Sequence, residues 1–433
     1  MPVKKERKSK SMFRATKGMR DILPEDQVYW EKIRQVVQKV AKSYGFERLD
    51  TPILEDEGLF IKGTGASTDI VQKEMYSLKT KGGDRLVLRP EFTPAFIRAY
   101  LENGLSSRSH PLKLYTTGPL FRYERAQKGR YRQHEQANFE VIGENDPVLD
   151  AQLIQVFFSI IRGLGVKDVV AQINSIGCRQ CRPNYRKKLV AFYNKRKKEL
   201  CPDCQKRLKQ NPLRLLDCKD GRCILVSEEA PQTIDNLCLE CHNHFKSVLE
   251  YLDELEIPYL LNSRLVRGLD YYTKTVFEVW PESEEAGRQS ALGGGGRYDH
   301  LIKILGGRET SGVGFGMGID RWVNFLREKN IKVPNECSPA VFLVQLGELG
   351  KKKALKLFES LRRANIRVAS QLSKDTMKAQ LKSADKMKAP FALILGQKEA
   401  LDGTVIVRNM ESGSQETVLL TKIVRELKKR IKR

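Results

Sequence analysis

The segment from Val266 to Glu278, VRGLDYYTKTVFE, places an arginine on a glycine turn, an aspartate, two tyrosines and an alternating strand within one short stretch. A guanidinium fork suits phosphate oxygens, and a phenol both donates and accepts hydrogen bonds. A second block has the same flavour. Phe121-Arg122-Tyr123-Glu124-Arg125, the basic turn Lys128-Gly129-Arg130 and the return run Tyr131 to Ile142 read as a hairpin able to close on a triphosphate. By the period of two, Gln136, Asn138 and Glu140 share one face of the return strand, and Ala137, Phe139 and Val141 the other. The polar face reads either as a pocket floor or as a solvated strand with a salt-bridged loop.

Three further blocks are ambiguous when taken singly. Arg89-Pro90-Glu91-Phe92-Thr93 puts an acid and a hydroxyl at a strand end, where they can hold an amino group. Thr93 before Pro94 is equally an ordinary helix start. Gly293 to Gly296, followed by Arg297-Tyr298-Asp299, reads as a close backbone approach or as a flexible linker. Gly312 to Gly318 leads into Ile319-Asp320-Arg321-Trp322 with neither the preceding strand nor the distant acid of a dinucleotide fingerprint. It reads as a glycine-rich strand running into a helix that offers Arg321 to phosphate. No Gly-Lys-Ser or Gly-Lys-Thr is present, which excludes a P-loop.

Of nine cysteines, Cys178/Cys181, Cys201/Cys204 and Cys238/Cys241 form CxxC pairs, and Cys218/Cys223 is a looser fourth. Nineteen residues separate Cys181 from Cys201, a spacing that fits a four-thiolate zinc site. One or two structural Zn²⁺ ions, or a set of reduced thiols, satisfy the pattern. Cys337 has no partner, and the five histidines form no catalytic pattern.

The elements that must position these groups fall into several textures along 433 residues. Lys and Arg outnumber Asp and Glu by 77 to 53, a net charge of +24 that points to a polyanionic partner. No apolar run reaches the roughly 18 residues that a membrane span needs. The basic N-terminus has no apolar stretch behind it, so the expected compartment is the cytoplasm. Residues 1–14 read as a basic tail. A catalytic region over 15–328 opens with a helix from Asp26 to Tyr44 and an extended run, Phe46 to Pro52. Strands at Arg85–Arg89, Lys113–Thr117 and Phe139–Ile142 with irregular connections predict an antiparallel sheet with packed helices, an α+β domain. A cysteine-rich, basic helical insertion at 176–258 interrupts it. A linker at 329–338 leads to an α/β domain over 339–433, with strands at Val341–Val344, Ile366–Val368 and Phe391–Leu395, a helix from Met377 to Lys386 and a basic final helix, Lys422 to Arg433.

Taken in order, these blocks resemble the class II aminoacyl-tRNA synthetases, and among them the histidyl-tRNA synthetase family. Leu265 to Tyr272 and Gly295 to Asp299 look like that family's two histidine-recognition motifs, and Lys17-Gly18-Met19-Arg20-Asp21-Ile22-Leu23-Pro24 resembles its N-terminal signature. The resemblance covers the chain from Lys17 onward. It implies a class II catalytic domain and a C-terminal anticodon-binding domain, ATP with Mg²⁺, and the partners histidine and tRNA(His). It also implies a homodimer, with Pro52 in the interface segment. By the same resemblance Arg267 contacts the α-phosphate where other class II enzymes place a metal ion, and Arg122, Arg130, Arg321 and Gly316 hold ATP. Tyr272, Tyr298 and Glu140 surround the imidazole, while Glu91, Thr93 and Gln136 hold the amino and carboxylate end. A regulatory relative that binds histidine without charging tRNA is the competing reading; the retained arginines and basic C-terminal domain weigh against it. Phe92, Ala126 and His134-Glu135 depart from the family's usual pattern, and Phe92 bears on the shape of the amino-acid pocket.

Overall fold

The computed structural model describes residues 13–125, 129–282, 291–333, 338–373 and 376–431. Expectations on the tail up to residue 12, on Ala126 and Lys128, on linker residues 334–337 including Cys337, and on Lys432 and Arg433 lie outside the described residues. The chain divides into two units, residues 1–332 and 333–433.

In the first unit helix α1 (Pro24–Ser43) starts on a proline, where the missing N–H is harmless, and buries Ile33, Val36, Val37 and Ala41 on one stripe. Strands β1 (Glu47–Arg48) and β2 (Leu54–Asp56), helix α2 (Glu57–Thr64), strands β3 (Tyr76–Lys79) and β4 (Arg85–Leu88) and helix α3 (Thr93–Glu102) follow. The long strands β5 (Leu112–Phe121) and β6 (Gln133–Ile142) form the hairpin, and α4 (Val148–Gly163) leads to β7 (Val169–Ser175). Four helices come next: α5 (Cys181–Lys195), α6 (Pro202–Gln210), α7 (Gly221–Glu228) and α8 (Leu239–Glu254). Strands β8 (Tyr259–Leu261), β9 (Thr273–Pro281) and β10 (Gly293–Arg297), the short helix α9 (Leu301–Ile304), β11 (Gly312–Gly318) and α10 (Ile319–Glu328) complete the unit.

Eight strands join in the order β1-β5-β6-β11-β10-β9-β7-β8. The six inner strands pair antiparallel, while the outermost β1 and β8 lie parallel to their neighbours. The strand expected at Arg85–Arg89 is not part of this sheet. It is β4 of a separate three-stranded ribbon, β2-β4-β3, cut short by Pro90, which has no N–H to continue a ladder. Ala137, Phe139, Val141, Val313, Phe315 and Phe277 face a core filled by α1, α4 and α10. Phe139 and Phe315 stack at 4.8 Å across β6 and β11. Helix α8 buries Phe245, Val248 and Leu252 in the same core.

The second unit contains β12 (Val341–Gln345), α11 (Gly347–Arg363), β13 (Val368–Ser370), α12 (Met377–Lys386), β14 (Phe391–Leu395), α13 (Gln397–Asp402), β15 (Thr404–Asn409), β16 (Gln415–Leu419) and α14 (Ile423–Ile431). Its sheet, β13-β12-β14-β15-β16, is parallel over the first three strands and antiparallel beyond. The strand expected at Ile366–Val368 starts later. Asn365 turns with φ +58° and the Ile366 amide bonds back to Leu361, so these residues close α11 instead. Strands β15 and β16 were not anticipated: β16 carries no apolar alternation, since Gln415 to Thr417 are exposed and polar, whereas Thr404-Val405-Ile406-Val407 of β15 did carry a β-branched strand signal that was passed over.

Candidate active site

The sheet face opposite the apolar core forms the floor of a cavity of about 360 Å³. Gln136 and Asn138 rise from β6 into it, as the period of two requires. Glu140, next on that face, lies beneath the lining and is fully buried. Its carboxylate accepts from Thr93 Oγ1 at 2.6 Å, Asn138 Nδ2 at 2.8 Å and the Tyr298 hydroxyl at 2.5 Å. Burial pushes this carboxyl up to about 7, with Glu91 adding to the shift, while its three donors oppose it. Glu91 is likewise buried and raised by desolvation; it accepts from Thr64 Oγ1 at 2.5 Å and the Tyr271 hydroxyl at 2.7 Å. Tyr271 packs on Tyr272 at 4.6 Å and on Tyr298 at 5.9 Å, so the three phenols form one wall.

Backbone, not side chain, closes the floor along β10 and β11. A Cβ at Gly314 would lie 1.7 Å from Glu140 Oε2, and one at Gly316 would lie 2.4 Å from Gln136 Nε2. The glycine run thus lets two polar side chains of β6 lie flat across its neighbour. The linker reading of Gly293 to Gly296 does not hold, since these residues are central-sheet backbone. Thr93 does begin α3, yet its hydroxyl makes no cap and goes to Glu140 instead.

At the other end the cavity is cationic. Arg122, Arg130, Arg267 and Arg321 all line it. Arg122 is aimed by its Nε–H bond to the Pro90 carbonyl at 2.9 Å, and Arg321 by a bond to the Ala291 carbonyl at 2.5 Å. Burial first, then the charges of Arg130 and Arg122, pull Arg321 down to about 10, against the opposing charges of Glu124 and Glu278. The same surroundings pull His134 down to about 3, which keeps its ring neutral. Arg267 ion-pairs with Glu278 and lies 5.7 Å from the Tyr272 ring. Its Nε and the Trp280 Nε1 are buried and make no hydrogen bond among the described residues. Unpaired buried donors beside a crowded guanidinium set fit an anionic ligand such as a polyphosphate.

The hairpin is fixed from behind. Asp320, at the start of α10, accepts from the Glu135 amide at 2.6 Å and from Arg20 at 2.9 Å. Arg34 of α1 grips the Glu135 carboxylate through two bonds of 2.9 and 2.6 Å. Arg297, by contrast, turns away from the cavity into a wholly buried pair with Asp150, also bonding the Glu144 and Asp146 carbonyls.

Eight of the cysteines gather into two groups, one nested in sequence within the other. Cys178 and Cys181 meet Cys238 and Cys241, while Cys201 and Cys204 meet Cys218 and Cys223. The spacing from Cys181 to Cys201 therefore does not mark a shared site; α5 carries the chain from one group to the other. Within each group all four sulfurs lie within 4.8 Å of one another, with contacts of 3.7 Å for Cys178–Cys181 and 3.9 Å for Cys201–Cys218. Four thiolates about 2.3 Å from a tetrahedral ion stand roughly 3.8 Å apart, so each group fits a metal of that kind.

Every pocket residue named from the sequence, Glu140 excepted, lines this one cavity. Tyr271, Glu278, Trp280, Asp217 and Lys219 line it too and were not singled out as ligands. Glu278 and Trp280 follow from extending the alternation of β9 by two residues. Asp217 and Lys219 arrive from the cysteine-rich segment and carry no local signal.

An amino-acid-sized end walled by carboxylates and phenols, an arginine-lined end for phosphate and an antiparallel sheet beneath both define a class II aminoacyl-tRNA synthetase. Residues 18–322 match the model of the histidyl-tRNA synthetase family, and residues 340–430 that of an anticodon-binding domain. The chain is 46% identical over 420 residues to a histidine–tRNA ligase of Dehalococcoides mccartyi, covering 97% of this chain and 100% of the relative. It is 42% identical over 414 residues to that of Desulforamulus reducens, covering 96% and 98%. The apo histidyl-tRNA synthetase of S. aureus superposes with a TM-score of 0.81 at 34% identity, covering 96% of this chain and all of that one. The chain belongs to the histidyl-tRNA synthetase family.

Proposed function

We propose that the protein is a histidine–tRNA ligase that activates histidine with ATP and transfers the histidyl group to the 3′ end of tRNA(His). The observation that carries this reading is the polarity of the single cavity, with buried carboxylates and three phenols at one end and a crowded arginine set at the other. Imidazole both donates and accepts, so Glu140 with Tyr272 and Tyr298 suits its two nitrogens. Glu91, Thr93 and Gln136 are assigned to the amino and carboxylate end. Arg122, Arg130, Arg321 and the Gly316 backbone are assigned to ATP, which synthetases of this family use with Mg²⁺.

The carboxylate of histidine attacks the α-phosphorus and pyrophosphate leaves. Negative charge grows at phosphorus during the step, and Arg267 and Arg122 are fixed cations aimed at that region. Holding the two reactants in line supplies a large part of the acceleration. The two cysteine groups are assigned one structural Zn²⁺ each. The protein works in the cytoplasm as a homodimer; the dimer is supported by exposed Leu54 and Leu78 on the three-stranded ribbon and exposed Ile53 just before it, next to Pro52.

The test is histidine-dependent exchange of labelled pyrophosphate into ATP. Wild type exchanges with histidine alone among the amino acids, and Arg267→Ala loses about 10²- to 10³-fold in kcat/KM. Saturable histidine binding with no exchange would replace the ligase with the regulatory relative.

A further inference from the structure

The first cysteine group has a second set of contacts, and they lead to the wall of the amino-acid pocket. Strand β9 bulges at its start. Gly296 faces Val276 but Arg297 faces Thr273, so Lys274 and Thr275 are extra residues, and Lys274 is left-handed with φ +46°. That backbone lies two residues beyond Tyr272, and a left-handed lysine is strained unless its surroundings hold it.

The structure supplies what holds it. The Lys274 amide donates to the Gly177 carbonyl at 3.0 Å, and the Ile176 amide donates to the Lys274 carbonyl at 2.8 Å. Both bonds come from the residues that lead into Cys178. The side chain of Arg182, immediately after Cys181, donates to the Tyr272 carbonyl and at 3.3 Å to the Ile176 carbonyl. From the other arm, Glu240, between Cys238 and Cys241, binds Lys274 Nζ at 2.9 Å, and Asn145 binds it at 3.2 Å. The arms are joined through sulfur: the Cys238 amide donates to Cys181 Sγ at 3.0 Å, and Cys178 Sγ lies 4.0 Å from Cys238 Sγ.

We infer that the group Cys178, Cys181, Cys238 and Cys241, loaded with metal, is a clasp that sets the Tyr272 wall, with Arg182 and Glu240 as its positioning residues toward histidine. The inference rests on the histidine-pocket and zinc readings above. The chemistry is that of an outer shell. A metal fixes the two chain segments in register, and each segment passes that register through one hydrogen-bonding side chain to a strained bulge. The second group lies toward the arginine end: Cys201 and Cys218 border a cavity shared with Arg122, Arg130 and Arg321.

The experiment measures histidine and ATP affinity by calorimetry, and zinc per chain by elemental analysis, on full-length wild type, Arg182→Ala, Arg182→Lys and Cys241→Ser. Arg182→Ala should weaken histidine about tenfold, leave ATP within about twofold and keep its zinc; Arg182→Lys should recover part of the loss. Cys241→Ser should lose one zinc of two and weaken histidine to a similar extent. Unchanged histidine affinity in Arg182→Ala, or equal losses for ATP and histidine, overturns the inference. A Cys241→Ser protein that loses zinc yet binds histidine normally overturns the clasp while leaving the pocket reading intact. Wild type that holds zinc but binds no histidine overturns the pocket reading, and the clasp with it.

Discussion

Glu140 shows how one side chain can tie recognition to pH. Three donors already occupy its oxygens, yet burial, the larger effect, lifts the carboxyl to about 7. The folded state therefore holds the proton more tightly than the unfolded chain, so stability contributed by this group is full below pH 4.5 and is lost as pH rises to about 7. For a ligand whose ring N–H needs an acceptor the trend is the reverse, because only the ionised carboxylate accepts freely. The ratio of histidine affinity in wild type to that in Glu140→Gln should grow from about pH 6 to about pH 8. Histidine itself titrates in that range, but equally for both proteins, so the ratio isolates Glu140. A flat ratio would remove Glu140 from recognition. The polar face of β6 was legible in the sequence because strand alternation fixes it; that Glu140 would be sealed beneath the lining was not, since the cover comes from Tyr298, just past the end of β10.

Legibility changes at the scale of elements. Helix α1, the β5–β6 hairpin and the run from β11 into α10 follow from periodicity and glycine placement over contiguous residues. The ribbon holding β4 and the grouping of cysteines do not, because each depends on which distant segments meet. A CxxC pair announces two ligands and is silent about the other two; here the first pair closes with the last, across the three helices α5, α6 and α7. Protein purified without chelator should carry about two zinc ions per chain, and Cys204→Ser should lower the count to about one. Fewer than one ion for several chains would return both groups to reduced thiols. The result also bears on Asp217 and Lys219: they flank Cys218 and reach the catalytic cavity, so the second group has a residue of the pocket on either side of one of its sulfurs.

For the whole molecule two quantities remain to be connected, the assembly and the charge. If the exposed apolar residues of the ribbon form an isologous contact, sedimentation should give twice the 49.5 kDa chain mass, and Leu54→Asp should shift the population toward monomer; a monomeric wild type would discard the dimer. The charge argument concerns RNA. Arg186, Lys187, Lys188, Lys195, Lys197 and Lys198 are exposed on and just after α5, and Lys428 and Lys429 on α14. Arg186, Lys187 and Lys197 border a cavity of about 930 Å³ whose inner wall is Arg267 and Tyr272. Cations in water bind phosphates mainly by releasing counterions, so their contribution falls steeply with salt. The arginines of the catalytic cavity act on a desolvated ligand, where screening is weak. Between about 50 and 200 mM salt, tRNA(His) binding should therefore weaken on the order of a hundredfold or more, while histidine-dependent pyrophosphate exchange changes by no more than about threefold. Equal sensitivity of the two would mean that the surface lysines do not carry the RNA, and that the excess of positive charge has some other partner.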